Sequence, residues 1–354
     1  MASAPFGVAF VGGGMMAQIG HIPFYEADPR VQVIGVVEER PSLQQALGTQ
    51  LGTDRIFARR ADILAHPDVD ALVISAPRPA TGPLTAEALN AGKHVLAEKP
   101  MAHTAAQAAQ LVELAQAQDV SYWVGYMKLH DAGVIAARQQ VREFRQTGRL
   151  GKLLSAQVYD FSKSYAVPPP AHTRPQESRA ERYPSWPLHP DWLTPEYHDG
   201  YAWFLNSASH DVSLMRAFFP GELRIEGATV SSGGDAISAL LNCEGIPISF
   251  NVAKTEAGHW IEGADFLFER GAVRLRIPSP MAVQAVAEVH FDDLEMGVVN
   301  EPLPTDSGWS FERQANAFIT HLVDSGPAVA TGQEGLADMV LIEEIWKRLS
   351  GVSI

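Results

Sequence analysis

Gly12-x-Gly14-x-x-Ala17 follows the apolar run Gly7-Val8-Ala9-Phe10-Val11 and leads into a stretch compatible with helix. A strand that feeds a helix through a glycine turn of this spacing opens a dinucleotide-binding βαβ unit. The first glycine permits the tight turn. The second lets a pyrophosphate approach the backbone, and the small third residue lets helix and strand pack closely. Amides at the helix start, at Met15 and Met16, and the helix dipole then face the phosphates. The unit needs a second strand ending in an acid, and Val31 to Val37 followed by Glu38 supplies one. A carboxylate there accepts ribose hydroxyls and repels a 2′-phosphate, so NAD is favoured over NADP. Arg40 pulls the other way, because arginine pairs with that phosphate.

The alternation continues. Ala71 to Ser75 reads as a strand, followed by Pro77 and Pro79. A helix near Leu84 to Asn90 ends at Ala91-Gly92, and His94 to Ala97 forms the next strand. Glu98-Lys99-Pro100 follows, then a helix over Thr104 to Gln118 and a strand over Tyr122 to Gly125. Strands alternating with helices predict a parallel, doubly wound Rossmann sheet over residues 1–130. Such sheets bind ligands at their carboxyl edge. Ser75, Pro77, Glu98 and Lys99 are therefore expected beside the cofactor.

After residue 130 the pattern changes. A helix over 133–147 and a strand over 153–161 precede an irregular stretch from 163 to 200. A helix from Tyr201 to Phe218 follows. Leu223 to Pro304 then alternates strand and turn without crossover helices, which predicts a mainly antiparallel sheet. Helices over 311–324 and 334–350 close the chain. The expectation is an α/β fold: a Rossmann domain, and a second α/β domain over 131–354 with a large open sheet. The last helix is expected to pack back on the first domain.

The chain has 354 residues, which suits two domains. No apolar run is long enough to cross a bilayer, and Met1-Ala2-Ser3-Ala4-Pro5 lacks the basic start of a signal peptide. Cys243 stands alone, so a reducing, cytoplasmic setting is expected. The net charge of −14 argues against nucleic acid or an anionic membrane as partner.

The irregular stretch carries His172, Arg174, Arg179, Arg182, Tyr183, Trp186, His189, Trp192 and His198. These histidine spacings match no zinc pattern, so no metal is expected. A segment of this length is usually functional or a linker. It reads as a lid over the substrate or an arm on a neighbouring subunit.

Together these segments resemble the Gfo/Idh/MocA family, named for glucose-fructose oxidoreductase, inositol dehydrogenase and a rhizopine catabolism protein. The resemblance rests on Gly12-x-Gly14-x-x-Ala17 and on Val69 to Ile74. It rests also on Ala91 to Pro100, Val124-Gly125-Tyr126-Met127-Lys128 and Ser209-His210-Asp211-Val212. It implies nicotinamide-dependent oxidation or reduction of a sugar, glycoside or cyclitol. It also implies a homodimer or homotetramer formed through the open sheet. Relatives that oxidise transiently during glycoside cleavage, or that only sense nucleotides, are the alternatives it leaves open.

By this resemblance Lys99 contacts the nicotinamide ribose and the reacting oxygen, where an ammonium stabilises alkoxide charge. His210 is the general acid/base, since imidazole titrates near neutral pH. Asn206 stands where the family often has an aspartate. It can hydrogen-bond but cannot stabilise imidazolium by charge. Met127 and Lys128 leave the sixth strand toward the substrate. Trp203, with Tyr201, offers a platform for an apolar sugar face. Leu129-His130-Asp131-Ala132 departs from the Arg-Tyr-Asp-Pro usual around that lysine, which leaves the substrate open.

Overall fold

The computed structural model describes residues 4–162, 166–178, 183–255 and 259–351. They divide into two units. The first comprises Met1–Tyr126, Pro170–Leu188 and Phe311–Met339; the second comprises Met127–Pro169, His189–Ser310 and Val340–Ile354.

The first unit runs β1 (Phe6–Val11), α1 (Ile22–Ala27), β2 (Val31–Val37), α2 (Pro41–Leu51), β3 (Ile56–Phe57) and α3 (Arg60–Leu64). It continues through β4 (Ala71–Ile74), α4 (Arg78–Asn90), β5 (His94–Ala97), α5 (Ala105–Ala117) and β6 (Tyr122–Val124). The strands form a parallel sheet in the order β3-β2-β1-β4-β5-β6. Strands covered on both faces need continuous apolar runs, and β1, β4 and β5 have them. The strand order reverses between β1 and β4, the switch point at which such sheets take ligands.

The second unit holds α6 (Ala132–Thr147), β7 (Leu153–Phe161), α7 (His198–Asn206) and α8 (Ser209–Phe218). Then come β8 (Arg224–Val230), β9 (Ala236–Cys243), β10 (Ile246–Ala253), β11 (Ile261–Phe268), β12 (Gly271–Arg276), β13 (Glu288–Asp293) and β14 (Val298–Pro302). The sheet order is β14-β13-β12-β11-β7-β10-β9-β8. Every pair is antiparallel except β7 with β10, whose connection contains α7 and α8. Alternation sets the buried face: Ile248, Phe250 and Val252 are buried, while the residues between them are not.

Two helices close the chain, α9 (Ser310–Asp324) and α10 (Gly332–Leu349). Ala315, Phe318 and Ile319 of α9 join the first unit's core with Val8, Phe10 and Tyr25. Phe318 meets Trp123 edge-on, ring centres 5.4 Å apart. Arg30 clamps the same helix through Asn316, Thr320 and Asp324. Helix α9 thus supplies core to the first unit, while α10 from Val340 onward belongs to the second.

Two expectations need correction. The helix expected from Tyr201 to Phe218 is two helices, α7 and α8, parted at Ser207–Ala208. Ser209 Oγ, rather than an amide, donates to the Leu205 carbonyl at 2.8 Å. A hydroxyl bonded to the carbonyl four residues back competes with the helix ladder. The helix placed near Leu84 begins instead at Arg78 and carries Pro83 inside it. Pro79 sits in the first turn, where a missing amide costs nothing. Pro83 has no N–H for the Pro79 carbonyl, which accepts from Trp186 N at 3.4 Å instead.

Candidate active site

The glycine turn is built from β1 outward. Gly12 has φ +97°, and a Cβ on it would lie 2.3 Å from the Ser75 carbonyl oxygen. Only glycine lets β1 and β4 end this close together. Gly13 N donates to Glu38 Oε2 at 3.0 Å, which ties the turn to the end of β2. Gly14 faces open space: the nearest atom to its would-be Cβ is Arg40 Nη2, at 4.0 Å. Met15 and Met16, both half-buried, start the helix, which widens to a π turn over Ala17–His21 before α1. Gly12, Gly14, Glu38, Arg40, Ser75 and Pro77 line one cleft of about 200 Å³. An open cradle at Gly14 beside a helix start is what a dinucleotide's phosphates require, so these residues fit that cofactor.

Glu38 is fully buried and already saturated. Its Oε1 accepts from the amides of Glu39 and Arg40 and from Arg40 Nε; its Oε2 accepts from Gly13 N and Arg40 Nη2. Burial pushes this carboxyl up, but the Arg40 guanidinium and the amides outweigh it and hold it below the usual range. The expected ribose acceptor is thus charge-paired within its own chain.

At the end of β5, Glu98 N donates to the Ile74 carbonyl at 2.9 Å, keeping the Glu98-Lys99 turn against β4. The Glu98 carboxylate turns to His21 Nε2 at 2.9 Å. It therefore fastens the strand end to the fingerprint helix. Sequence reasoning misses His21, whose only sequence signal is its place on that helix. Lys99 is half-buried at the same edge, and its peptide bond to Pro100 is cis.

The described residues 170–178 and 183–188 are laid along this first unit. Gln18 exchanges two hydrogen bonds with the Thr173 backbone, 2.8 and 3.1 Å long. Ser42 binds Glu177, Arg60 lies over the Tyr183 ring, and Gln107 Nε2 reaches the Pro187 carbonyl. Arg179 and Arg182 lie outside the described residues.

In the second unit, Met127 and Lys128 form a buried 3₁₀ turn, Met127–His130, against which α8 packs. Lys128 is 4% exposed, with Nζ 2.6 Å from Glu262 Oε1. Trp260 Nε1 donates to the other Glu262 oxygen at 2.9 Å. Asp160 and Asp211 complete a buried set of three carboxylates around one ammonium. Burial raises all three carboxyls, Asp160, Asp211 well above its usual range, and Glu262 to about 7; repulsion from neighbouring carboxylates adds to the rise of Asp211 and Glu262. Burial lowers Lys128, but the surrounding carboxylates outweigh it and raise it.

His210 opens α8 and is 6% exposed. Asn206 ends α7, so the break at Ser207–Ala208 removes the continuous helix face that the two were expected to share. Trp203 is buried, and its indole N–H has no hydrogen-bond partner among the described residues. Tyr201 is core, edge-on to Trp346 at 5.5 Å. Among the described residues, no group of three or more His, Cys, Asp or Glu is placed to hold a metal ion. No helix among them is long and apolar enough to cross a membrane.

Residues 6–126 match the model of the Gfo/Idh/MocA oxidoreductase family with its NAD-binding Rossmann fold. The chain resembles that family over these residues. A dTDP-3,4-didehydro-2,6-dideoxy-α-D-glucose 3-reductase of Streptomyces violaceoruber is 31% identical over 42% of this chain and 40% of its own length. The 1,5-anhydro-D-fructose reductase of Ensifer adhaerens is 24% identical over 91% of this chain and 87% of its own. The chain spans about two fifths of the length of the first curated relatives it matches. A crystal structure of a 3-ketoreductase from Actinomadura kijaniata, with NADP and TDP-benzene, shares the fold with a TM-score of 0.74. It is 19% identical and covers 98% of both chains.

Proposed function

We propose that this protein is a Gfo/Idh/MocA oxidoreductase that moves hydride between a nicotinamide dinucleotide and a hydroxyl or keto carbon of a sugar, glycoside or cyclitol. One observation carries the reading. Gly12, Ser75 and Glu98-Lys99 stand at the carboxyl ends of adjacent strands β1, β4 and β5 of one parallel sheet. The bound dinucleotide supplies the hydride acceptor or donor. Lys99 brings a positive charge to the oxygen that becomes alkoxide, and His210 takes or returns the hydroxyl proton. Met127, Trp203 and Asn206 are proposed substrate contacts. The orphan indole N–H of Trp203 is a donor that a sugar hydroxyl or a water would satisfy. Lys128, held by Glu262, is proposed to act on the substrate through its charge. Of the two cofactor forms NAD is proposed, because the ribose end of the cleft is lined by acidic side chains.

A panel of sugars, glycosides and cyclitols, assayed by absorbance of reduced cofactor with NAD and NADP in parallel, tests the activity. Lys99→Met keeps most of the side-chain length without the charge. Turnover on the best substrate is expected to fall about a hundredfold, the usual worth of one preorganised donor at a developing oxyanion. Cofactor affinity should change far less. Near-normal turnover would remove Lys99 from the mechanism.

Assembly through the open sheet is proposed on its outer face. Leu240, Ile261 and Leu267 point away from the buried face and are 48%, 41% and 51% exposed. Leu240→Asp with Leu267→Asp is expected to shift the mass measured by light scattering toward the monomer. An unchanged mass would place the interface elsewhere. The buried single cysteine agrees with a reducing, cytoplasmic setting, which is proposed on that ground.

A further inference from the structure

We infer that Glu177, on the irregular segment, is the residue that discriminates NAD from NADP. The inference rests on the nicotinamide reading above and names a residue that reading did not need.

The ribose end of a Rossmann cleft lies after the second strand. An acid there suits a free 2′-hydroxyl, and an arginine there suits a 2′-phosphate. This chain has both, Glu38 and Arg40, and they neutralise each other in a two-point ion pair. Glu38 therefore cannot do the repelling alone, and the pair as a whole selects weakly. Glu39 is also engaged, 3.5 Å from Arg60.

Glu177 reaches this place from a distant part of the chain. Its Oε1 accepts from Ser42 N at 2.9 Å, and its Oε2 accepts from the Ser42 hydroxyl. Gln176 N donates back to Ser42 Oγ at 3.0 Å, which fixes the backbone on either side. Glu177 lines the same cleft as Gly14, Glu38, Arg40 and Ser75. The Ser42 hydrogen bonds hold its carboxyl below the usual range, so it is anionic at neutral pH. Its charge also bears on Arg40.

A carboxylate thus already occupies the donors that a 2′-phosphate would seek, the Ser42 amide and hydroxyl beside Arg40. NADP has to displace it or lie against it, and both are unfavourable. NAD brings only a hydroxyl and leaves the contact intact. The preference is built by Glu177 held on Ser42, with the Glu38–Arg40 pair as a neutral floor.

The test is equilibrium binding, read from nicotinamide fluorescence as NADH and NADPH are titrated separately. Wild type is expected to bind NADH more tightly than NADPH. Glu177→Gln keeps an acceptor for Ser42 and removes the charge; Glu177→Ser removes both. NADPH affinity is expected to rise about tenfold in each variant, the scale of one partly screened charge contact, while NADH affinity stays near wild type. Unchanged NADPH affinity in both variants overturns the inference, as does a wild type that prefers NADPH. A wild type that binds neither cofactor sinks the nicotinamide reading itself, and the inference with it. The two failures are therefore distinguishable.

Discussion

His210→Ala is expected to lower turnover by about a hundred- to ten-thousandfold, the usual worth of a positioned acid/base. The imidazole stands at the start of α8, nearly buried, one residue before the fully buried Asp211. Oxidation of a hydroxyl needs a base, and imidazole is the side chain whose ordinary titration spans neutral pH. The variant should therefore also lose the acidic limb of the pH–rate profile. NADH binding, by titration, should be close to wild type, because the cofactor's glycine turn belongs to other elements. Asn206→Asp is a second probe. If the two side chains communicate across the Ser207–Ala208 break, a carboxylate there stabilises imidazolium and moves the acidic limb to higher pH. Retention of both rate and limb in His210→Ala would place the base elsewhere.

Lys128→Met is expected to cost about 3–5 kcal/mol of stability, the range for removing one partner of a buried ion pair. The ammonium is the one cation of the buried set formed with Glu262, Asp160 and Asp211. Without it three carboxyls remain in a dry site, relieved by Ser162, Trp260 and protonation. Urea denaturation measures the loss. A cost below about 1 kcal/mol, the level of an exposed pair, would mean that water reaches the cluster.

The same cluster makes stability depend on pH. Burial raises Glu262 from its usual 4.5 to about 7, so the folded chain holds a proton that the unfolded chain releases earlier. A raised folded value means that this contribution is full below about 4.5 and is lost as pH rises through about 7. Asp160 and Asp211, raised in the same direction, add to that slope. Glu262→Gln cannot titrate. Its denaturation midpoints between pH 5 and 7 should vary less than those of the wild type; an equal slope would assign the proton to another group.

The first unit was largely legible because its signals are local. The glycine turn, β1, β2 and the Glu98-Lys99 strand end each lie within a few consecutive residues, and burial on both faces demands unbroken apolar runs. Alternating side chains likewise announced the antiparallel sheet, although not the parallel seating of β7 beside β10. Local pattern failed where one side chain changed the local rule. Ser209, bonded back to Leu205, breaks a helix that periodicity continues, and Pro83 sits inside a helix because Trp186 serves the carbonyl it leaves.

By itself, then, the sequence determined the Rossmann fold and the residues at the sheet's carboxyl edge. Only the tertiary structure decided what their charges face. Glu98 turns to His21 at a separation of 77 residues, Lys128 to Glu262 at 134, and Ser42 to Glu177 at 135. No periodicity carries such pairings. The two buried pairs, Glu98 with His21 and Lys128 with Glu262, exist because burial requires an ionised group to find a partner, and the topology settles which partners are within reach.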